Sequence, residues 1–230
     1  MAQIIAVANQ KGGVGKSAVT LLAATALAQP PFNYRVAIID TDPQQSIGKL
    51  RAYDLEAAPD AVPPYDVLTL DWPTFRQQVR ELDARYQLIF LDVPGKLDTD
   101  QGRTSEAVQA LQYIDLALVP FTPGNFALDA TLDYLRTALA VQQQRPDLRL
   151  VAFRNMHRER SRHARALDAE LAAVADFVPV MDEALRRYSE FEDADSLASL
   201  YSADSSSPAR VNFSAWVQEL DTLLAHHTHQ

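Results

Sequence analysis

Residues 9–17, NQKGGVGKS, bring two lysines, three glycines and a hydroxyl into one short run. A loop that cradles phosphate needs backbone N–H groups turned inward, and glycine reaches the required torsions without a Cβ collision. Gly12, Gly13, Val14 and Gly15 supply that backbone. Lys16 stands where a side chain reaches the terminal phosphates, and Ser17 where a hydroxyl ligates Mg²⁺. The general pattern G-x-x-x-x-G-K-[ST] is met at Gly15, Lys16 and Ser17, but Gln10 takes the place of its first glycine. Beside Gln10 is a second lysine, Lys11. The chain has four lysines in all (Lys11, Lys16, Lys49 and Lys96) and seven glycines, so two of the four and three of the seven fall within residues 11–16.

Two acidic stretches carry the complementary chemistry. IIDTDPQ ends an apolar run at Asp40 and places Asp42 two residues on, just before a proline; LIFLDVPG ends another run at Asp92. Carboxylates at strand ends beside a triphosphate hold the magnesium shell or orient the attacking water. Singly, each fits a turn or a helix cap equally well; together with the loop they form a metal-site pattern.

These residues need elements to carry them. Apolar runs at 3–8, 36–40, 87–92, 115–120 and 148–153 predict strands covered on both faces, with an edge strand near 177–180. Helices are expected at 16–29, 45–52, 73–84, 103–113, 126–143 and 161–175, and a last amphipathic helix at about 211–225 follows the serine-rich SADSSSPAR. The alternation predicts an α/β fold, a doubly wound, mostly parallel sheet with helices on both faces. Ligands of such sheets lie beyond the carboxyl ends of the strands, where residues 11–17, 40–43, 92–96 and 120–124 converge. A length of 230 residues with 47% hydrophobic content is expected to form a single domain, 1–230.

Composition narrows the function. With no cysteine there is no disulfide, zinc-thiolate or cysteine-ligated iron–sulfur chemistry. No stretch reaches the roughly 20 apolar residues that span a bilayer, and no basic leader opens the chain, so a soluble protein is expected. The net charge of −9 opposes indiscriminate attraction to nucleic acid or anionic lipid, leaving only a local basic patch to overcome it. RNMHRERSRHAR at 154–165 is such a patch, with Arg158, Arg162 and Arg165 near one helix face; a phosphate-contacting stripe and an ordinary solvated face both fit it.

In this order, NQKGGVGKS, DTDPQ and LDVPG resemble the ParA/MinD group of deviant Walker A ATPases, and ANQKGG with DTDPQ leans toward ParA-type partition ATPases. The likeness covers roughly 1–180 in strand pattern. It implies an ATP- and Mg²⁺-dependent ATPase, slow and partner-stimulated, that forms a homodimer with ATP. Lys11 would be the signature lysine that crosses the dimer interface to the partner's nucleotide. Asp42 would orient the hydrolytic water, Asp40 would support the magnesium shell, Asp92 would be the Walker B carboxylate and Ser17 would contact the metal. Asn155, in FRNM, sits where the family often reads adenine, though a helix cap fits it as well. Ala18 departs from the family, which commonly has a hydroxyl residue at that place.

The same resemblance implies non-specific DNA binding, with Arg186 and Arg187 at a family DNA-contact position and Arg187 matching better, although Glu183, Glu190, Glu192 and Asp193 surround the pair. It further implies a ParB-like or other stimulating adaptor, and a cytoplasmic, nucleoid-associated protein that segregates plasmid, chromosome or other cargo. The alternative is a MinD-like or scaffold ATPase that positions a membrane-associated or protein assembly without DNA. The acidic, lysine-free terminal helix speaks against membrane recruitment.

Overall fold

In the computed structural model, residues 1–94, 106–157 and 162–225 are described. Among the described residues six strands form one sheet: β1 (Gln3–Val7), β2 (Val36–Asp40), β3 (Asp66–Thr69), β4 (Leu88–Asp92), β5 (Leu116–Phe121) and β6 (Arg149–Arg154). Their order is β3-β2-β4-β1-β5-β6, and every pairing between these strands is parallel. Around them run α1 (Lys16–Leu27), α2 (Ser46–Ala57), α3 (Trp72–Arg85), α4 (Glu106–Ala110), α5 (Asn125–Gln144), α6 (Arg162–Val174) and α7 (Pro208–Ala225).

The apolar strands are buried on both faces because successive side chains point to opposite sides. Ile4 and Ala6 of β1 join a core with Phe75 of α3, Tyr134 and Leu135 of α5 and Leu167 of α6. Ile5 and Val7 join the other core, with Leu22 of α1, Ile47 of α2 and Trp216 of α7. The connection leaving β1 therefore packs on one face while those leaving its neighbours β4 and β5 pack on the other. That change of side opens a crevice at the carboxyl end of β1, the usual ligand position of a doubly wound sheet.

Two expectations are amended and one element is added. The edge strand foreseen near 177–180 is reduced to a single parallel bridge between Ala152 and Val180. A strand that the pattern does not reveal, β3, occupies the opposite edge; its ends are exposed and it has only four residues, so no long apolar run marks it. Helix α2 continues to Ala57, past the foreseen end at 52, where buried Arg51 docks: its guanidinium donates to the Tyr65 carbonyl at 2.7 Å and to the hydroxyl and carbonyl of Ser196 at 2.9 and 3.0 Å. Asp54 accepts from both the N–H and the hydroxyl of Ser196, so a stretch between α6 and α7 is clasped onto α2.

Helix α7 buries Phe213, Trp216, Val217 and Leu220 completely, with Trp216 5.4 Å from the Phe153 ring. Each such large apolar side chain contributes about 1.5–3 kcal/mol on burial, which makes this helix part of the core. Among the described residues no helix is long and apolar enough to cross a membrane.

Candidate nucleotide site

The loop after β1 takes its shape from two glycines with positive φ, Gly13 at 76° and Gly15 at 83°. A Cβ on Gly15 would also stand 2.8 Å from Asn155 Nδ2, so glycine is required there twice over. Gly12 and Gly13 instead face open space, in a cleft of about 440 Å³ shared with Thr122, Gly124 and Met156. Helix α1 starts immediately, with no side chain capping it and no acid in its first turn. Its first N–H groups and its positive end are thus left for an anion.

Lys16 is half-buried, and this burial lowers its pKa against the opposing pull of Asp92 and Asp42. Its ammonium donates to the Lys11 carbonyl at 3.3 Å. Lys11 itself is exposed at the rim of the cleft, and among the described residues its ammonium has no hydrogen-bond or ion-pair partner.

The carboxylates meet as strand neighbours, since Asp40 and Asp92 are paired residues of β2 and β4. Thr41 fastens that junction, donating through its N–H and its hydroxyl to the Asp92 carbonyl at 3.0 and 2.8 Å. Asp40 is fully buried and accepts from the N–H groups of Asp42 and Gly48 at 3.2 and 3.1 Å. Burial is the main reason its pKa rises; those two N–H groups oppose it. Burial likewise pushes the Asp92 carboxyl up to about 7, opposed by the Ser17 hydrogen bond and reinforced by Asp40 and Asp42. Ser17 Oγ donates to Asp92 Oδ2 at 2.8 Å, while Asp92 Oδ1 is buried without a partner among the described residues. Asp42 is half-buried and its Oδ1 accepts from Gln44 N–H at 2.8 Å.

This donor set suits a magnesium ion. An unpartnered buried carboxylate oxygen and a serine hydroxyl stand at the foot of a phosphate-shaped loop. Among the described residues no three His, Asp or Glu side chains close into a cage for a bare cation, and magnesium is usually held by one or two carboxylates together with substrate phosphates and water.

Asn155 is buried behind the loop and donates to the Val14 carbonyl at 2.8 Å. A second cavity, of about 130 Å³, opens beside it between Ala18, Leu185 and Tyr188. Arg186 and Arg187 line this cavity too, and Arg187 also reaches the cleft at Lys11, held by Glu192 at 3.2 Å. The arginine pair that the sequence offers to DNA is thus brought against the nucleotide loop. Arg165 is exposed on α6, whose first residue is Arg162, and Arg158 lies outside the described residues.

Asn9 and Gln10 do not stand out as functional by their types. Asn9 is buried; its Nδ2 donates to the Pro120 carbonyl at 3.1 Å and to Thr131 Oγ1 at 2.7 Å, and its Oδ1 accepts from Lys11 N–H at 2.9 Å. Gln10, in the place of the general pattern's first glycine, donates to the Ala130 carbonyl of α5 at 2.7 Å. The signal the sequence does hold is an amide pair standing directly between an apolar strand and the glycines.

Comparison with known proteins gives the family and the fold. The family that matches is described as the CobQ/CobB/MinD/ParA nucleotide binding domain, over residues 5–198. The maintenance of carboxysome distribution protein A of Halothiobacillus neapolitanus is 25% identical over 190 residues, covering 83% of this chain and 82% of that protein. The chromosome partitioning protein ParA of Caulobacter vibrioides is 28% identical, covering 59% of this chain and 61% of its own length. Among solved structures, a cobyrinic acid a,c-diamide synthase from Mycobacterium smegmatis, with bound ATP analog and magnesium, superposes with a TM-score of 0.65 at 23% identity. The match covers 100% of this chain and 96% of that one.

Proposed function

This chain belongs to the CobQ/CobB/MinD/ParA nucleotide-binding family, and we propose that it is a ParA-like Mg²⁺-dependent ATPase whose ATP-bound form dimerises, binds DNA without sequence preference and positions a cargo. The observation that carries this reading is the division of labour between the two loop lysines. Lys16 is drawn into its own loop, whereas Lys11 stands exposed at the rim with no partner for its ammonium among the described residues. A second copy of the chain supplies the phosphate for such a lysine.

Within the site, N–H groups of residues 12–17 and the Lys16 ammonium hold the phosphates. Ser17 and Asp92 hold the metal, with Asp40 behind them. Magnesium, when bound, supplies charge neutralisation on the phosphates. Asp42, on the turn after β2, would orient a water, and Lys11 would add a cation from the partner where charge develops. The cavity beside Asn155 suits a base, with apolar walls from Ala18, Leu22 and Leu185, an amide at its edge and Arg186 and Arg187 in its lining.

For cargo, the similarity to a carboxysome-distribution protein and to a chromosome-partitioning protein supports positioning as the class of task. The apolar face of α7 is packed in the core, so this helix does not offer it to a membrane. Arg165, with Arg158 and Arg162 on the same stretch, is the assigned DNA contact, and a ParB-like or other adaptor is the assigned stimulator of hydrolysis. The test is retention on non-specific duplex DNA with ATP, with ADP and without nucleotide. ATP-dependent retention supports the reading; equal retention in all three, or none, favours a scaffold ATPase without DNA.

A further inference from the structure

We infer that Asn9 and Thr131 are positioning residues for Lys11, so that helix α5 fixes the lysine offered to the second copy; the inference rests on the dimer reading above. The geometry is a directional chain. Lys11 N–H donates to Asn9 Oδ1 at 2.9 Å, Asn9 Nδ2 donates to Thr131 Oγ1 at 2.7 Å, and Thr131 Oγ1 donates to the Ala127 carbonyl at 2.7 Å. Every member donates in the same sense. The Thr131 hydroxyl proton is therefore committed to Ala127, and its oxygen is free to receive Asn9. The remaining Asn9 hydrogen goes to the Pro120 carbonyl. Asn9 is 2% and Thr131 0% exposed, so solvent does not compete for these bonds. An amide whose two hydrogens and oxygen are all engaged has one orientation, and low local dielectric strengthens each link.

What the chain fixes is the entrance of the loop. Among the described residues its loop partner is Lys11, and the neighbouring Gln10 amide makes a second tie to α5 at Ala130. The cradle proper is fastened from other elements, by Asn155 at Val14 and by Asp92 at Ser17. The two sets of anchors share no side chain, and the contact between entrance and cradle is the long 3.3 Å one from the Lys16 ammonium to the Lys11 carbonyl. Loosening the α5 set should therefore displace Lys11 while leaving the phosphate cradle in place. A long, exposed lysine whose ammonium is not held within its own copy depends on its backbone for aim, because its side-chain freedom is large.

The test uses Thr131→Val, which keeps the shape and removes the hydroxyl, and Thr131→Ser, which keeps the hydroxyl. Lys11→Ala is the reference. Binding of a non-hydrolysable ATP analogue is measured by calorimetry and dimerisation by sedimentation in the same analogue with Mg²⁺. Thr131→Val is expected to bind analogue within about twofold of wild type but to dimerise roughly tenfold more weakly, the scale of one lost hydrogen bond; Thr131→Ser recovers wild-type dimerisation. If Thr131→Val is too unstable to purify, Gln10→Ala cuts the parallel tie and should show the same split with a smaller loss. Thr131→Val dimerising like wild type while Lys11→Ala does not would overturn the positioning role, as would loss of analogue binding in step with loss of the dimer. Wild-type dimerisation by Lys11→Ala would instead remove Lys11 from the interface, and the positioning role with it, whereas a wild-type chain that stays monomeric with analogue would sink the dimer reading itself.

Discussion

Ser17 Oγ donates to one oxygen of Asp92 at 2.8 Å, and the other oxygen of that carboxylate is buried with no partner among the described residues. Without a cation the folded chain therefore holds a proton there up to about pH 7, whereas the unfolded chain releases it near 3.8. The folded state binds more protons between those values, so this group's contribution to stability is full below about pH 4 and is lost as pH rises to about 7. Each pH unit in that window is worth about 1.4 kcal/mol, so the loss amounts to a few kcal/mol. Thermal melts in chelator should fall between pH 5 and pH 8 more steeply for wild type than for Asp92→Asn. Parallel slopes would show that Asp92 does not carry the proton.

Lys16 and Asp42 should separate binding from turnover. Lys16→Ala removes the charge nearest the phosphates and should abolish ATP binding, measured by calorimetry. In the proposed mechanism Asp42 acts in the transition state, so with Asp42→Ala ATP binding should persist while hydrolysis stops and the dimer accumulates. Hydrolysis by Asp42→Ala at the wild-type rate would take that residue out of the reaction.

The arginines should divide by location. Arg165→Glu, on exposed α6, is expected to weaken ATP-dependent DNA retention and reduce its salt dependence while leaving nucleotide affinity unchanged. Arg187→Glu places a negative charge against Glu192 and beside the cleft at Lys11, and should lower nucleotide affinity as well. Titrations of both variants with nucleotide and with DNA check the contrast; unchanged nucleotide affinity in Arg187→Glu would return that residue to the DNA surface alone.

The loop and the carboxylates are legible in the sequence because their chemistry is local. Glycines, lysines and a hydroxyl crowd into residues 9–17, and Asp40 and Asp92 end uninterrupted apolar runs. The strands of the sheet's interior are legible for the same reason, being buried on both faces. What escapes is set by partners far along the chain. Asn9 is defined by Thr131, Arg51 by Ser196, and β3 by pairing with β2 at an edge where its own side chains are half solvated. None of these leaves a local pattern, since each residue's type suits a surface position equally well.

Tyr134 offers a prediction about stability alone. It is 1% exposed in the core beneath α5, its hydroxyl has no partner among the described residues, and burial raises its pKa. An unsatisfied buried hydroxyl costs about 1–3 kcal/mol. Tyr134→Phe should therefore raise the midpoint of denaturant unfolding with no change in ATP hydrolysis; a lower midpoint would reveal a partner for the hydroxyl in solution.

The clasp of Arg51 on Ser196 divides the largely irregular stretch at 175–207 into two shorter loops. Loop closure becomes costlier with the logarithm of length, about 0.6 kcal/mol per doubling, so each half is less expensive to order than the undivided span. The half beyond the clasp ends in an exposed turn at Ala203 and Asp204, remote in sequence from every residue assigned to the nucleotide. Because the chain contains no cysteine, Asp204→Cys would introduce its sole thiol. A fluorophore attached there would sit on a tethered handle away in sequence from the nucleotide loop, which makes the proposed assembly observable at a single defined point on each copy.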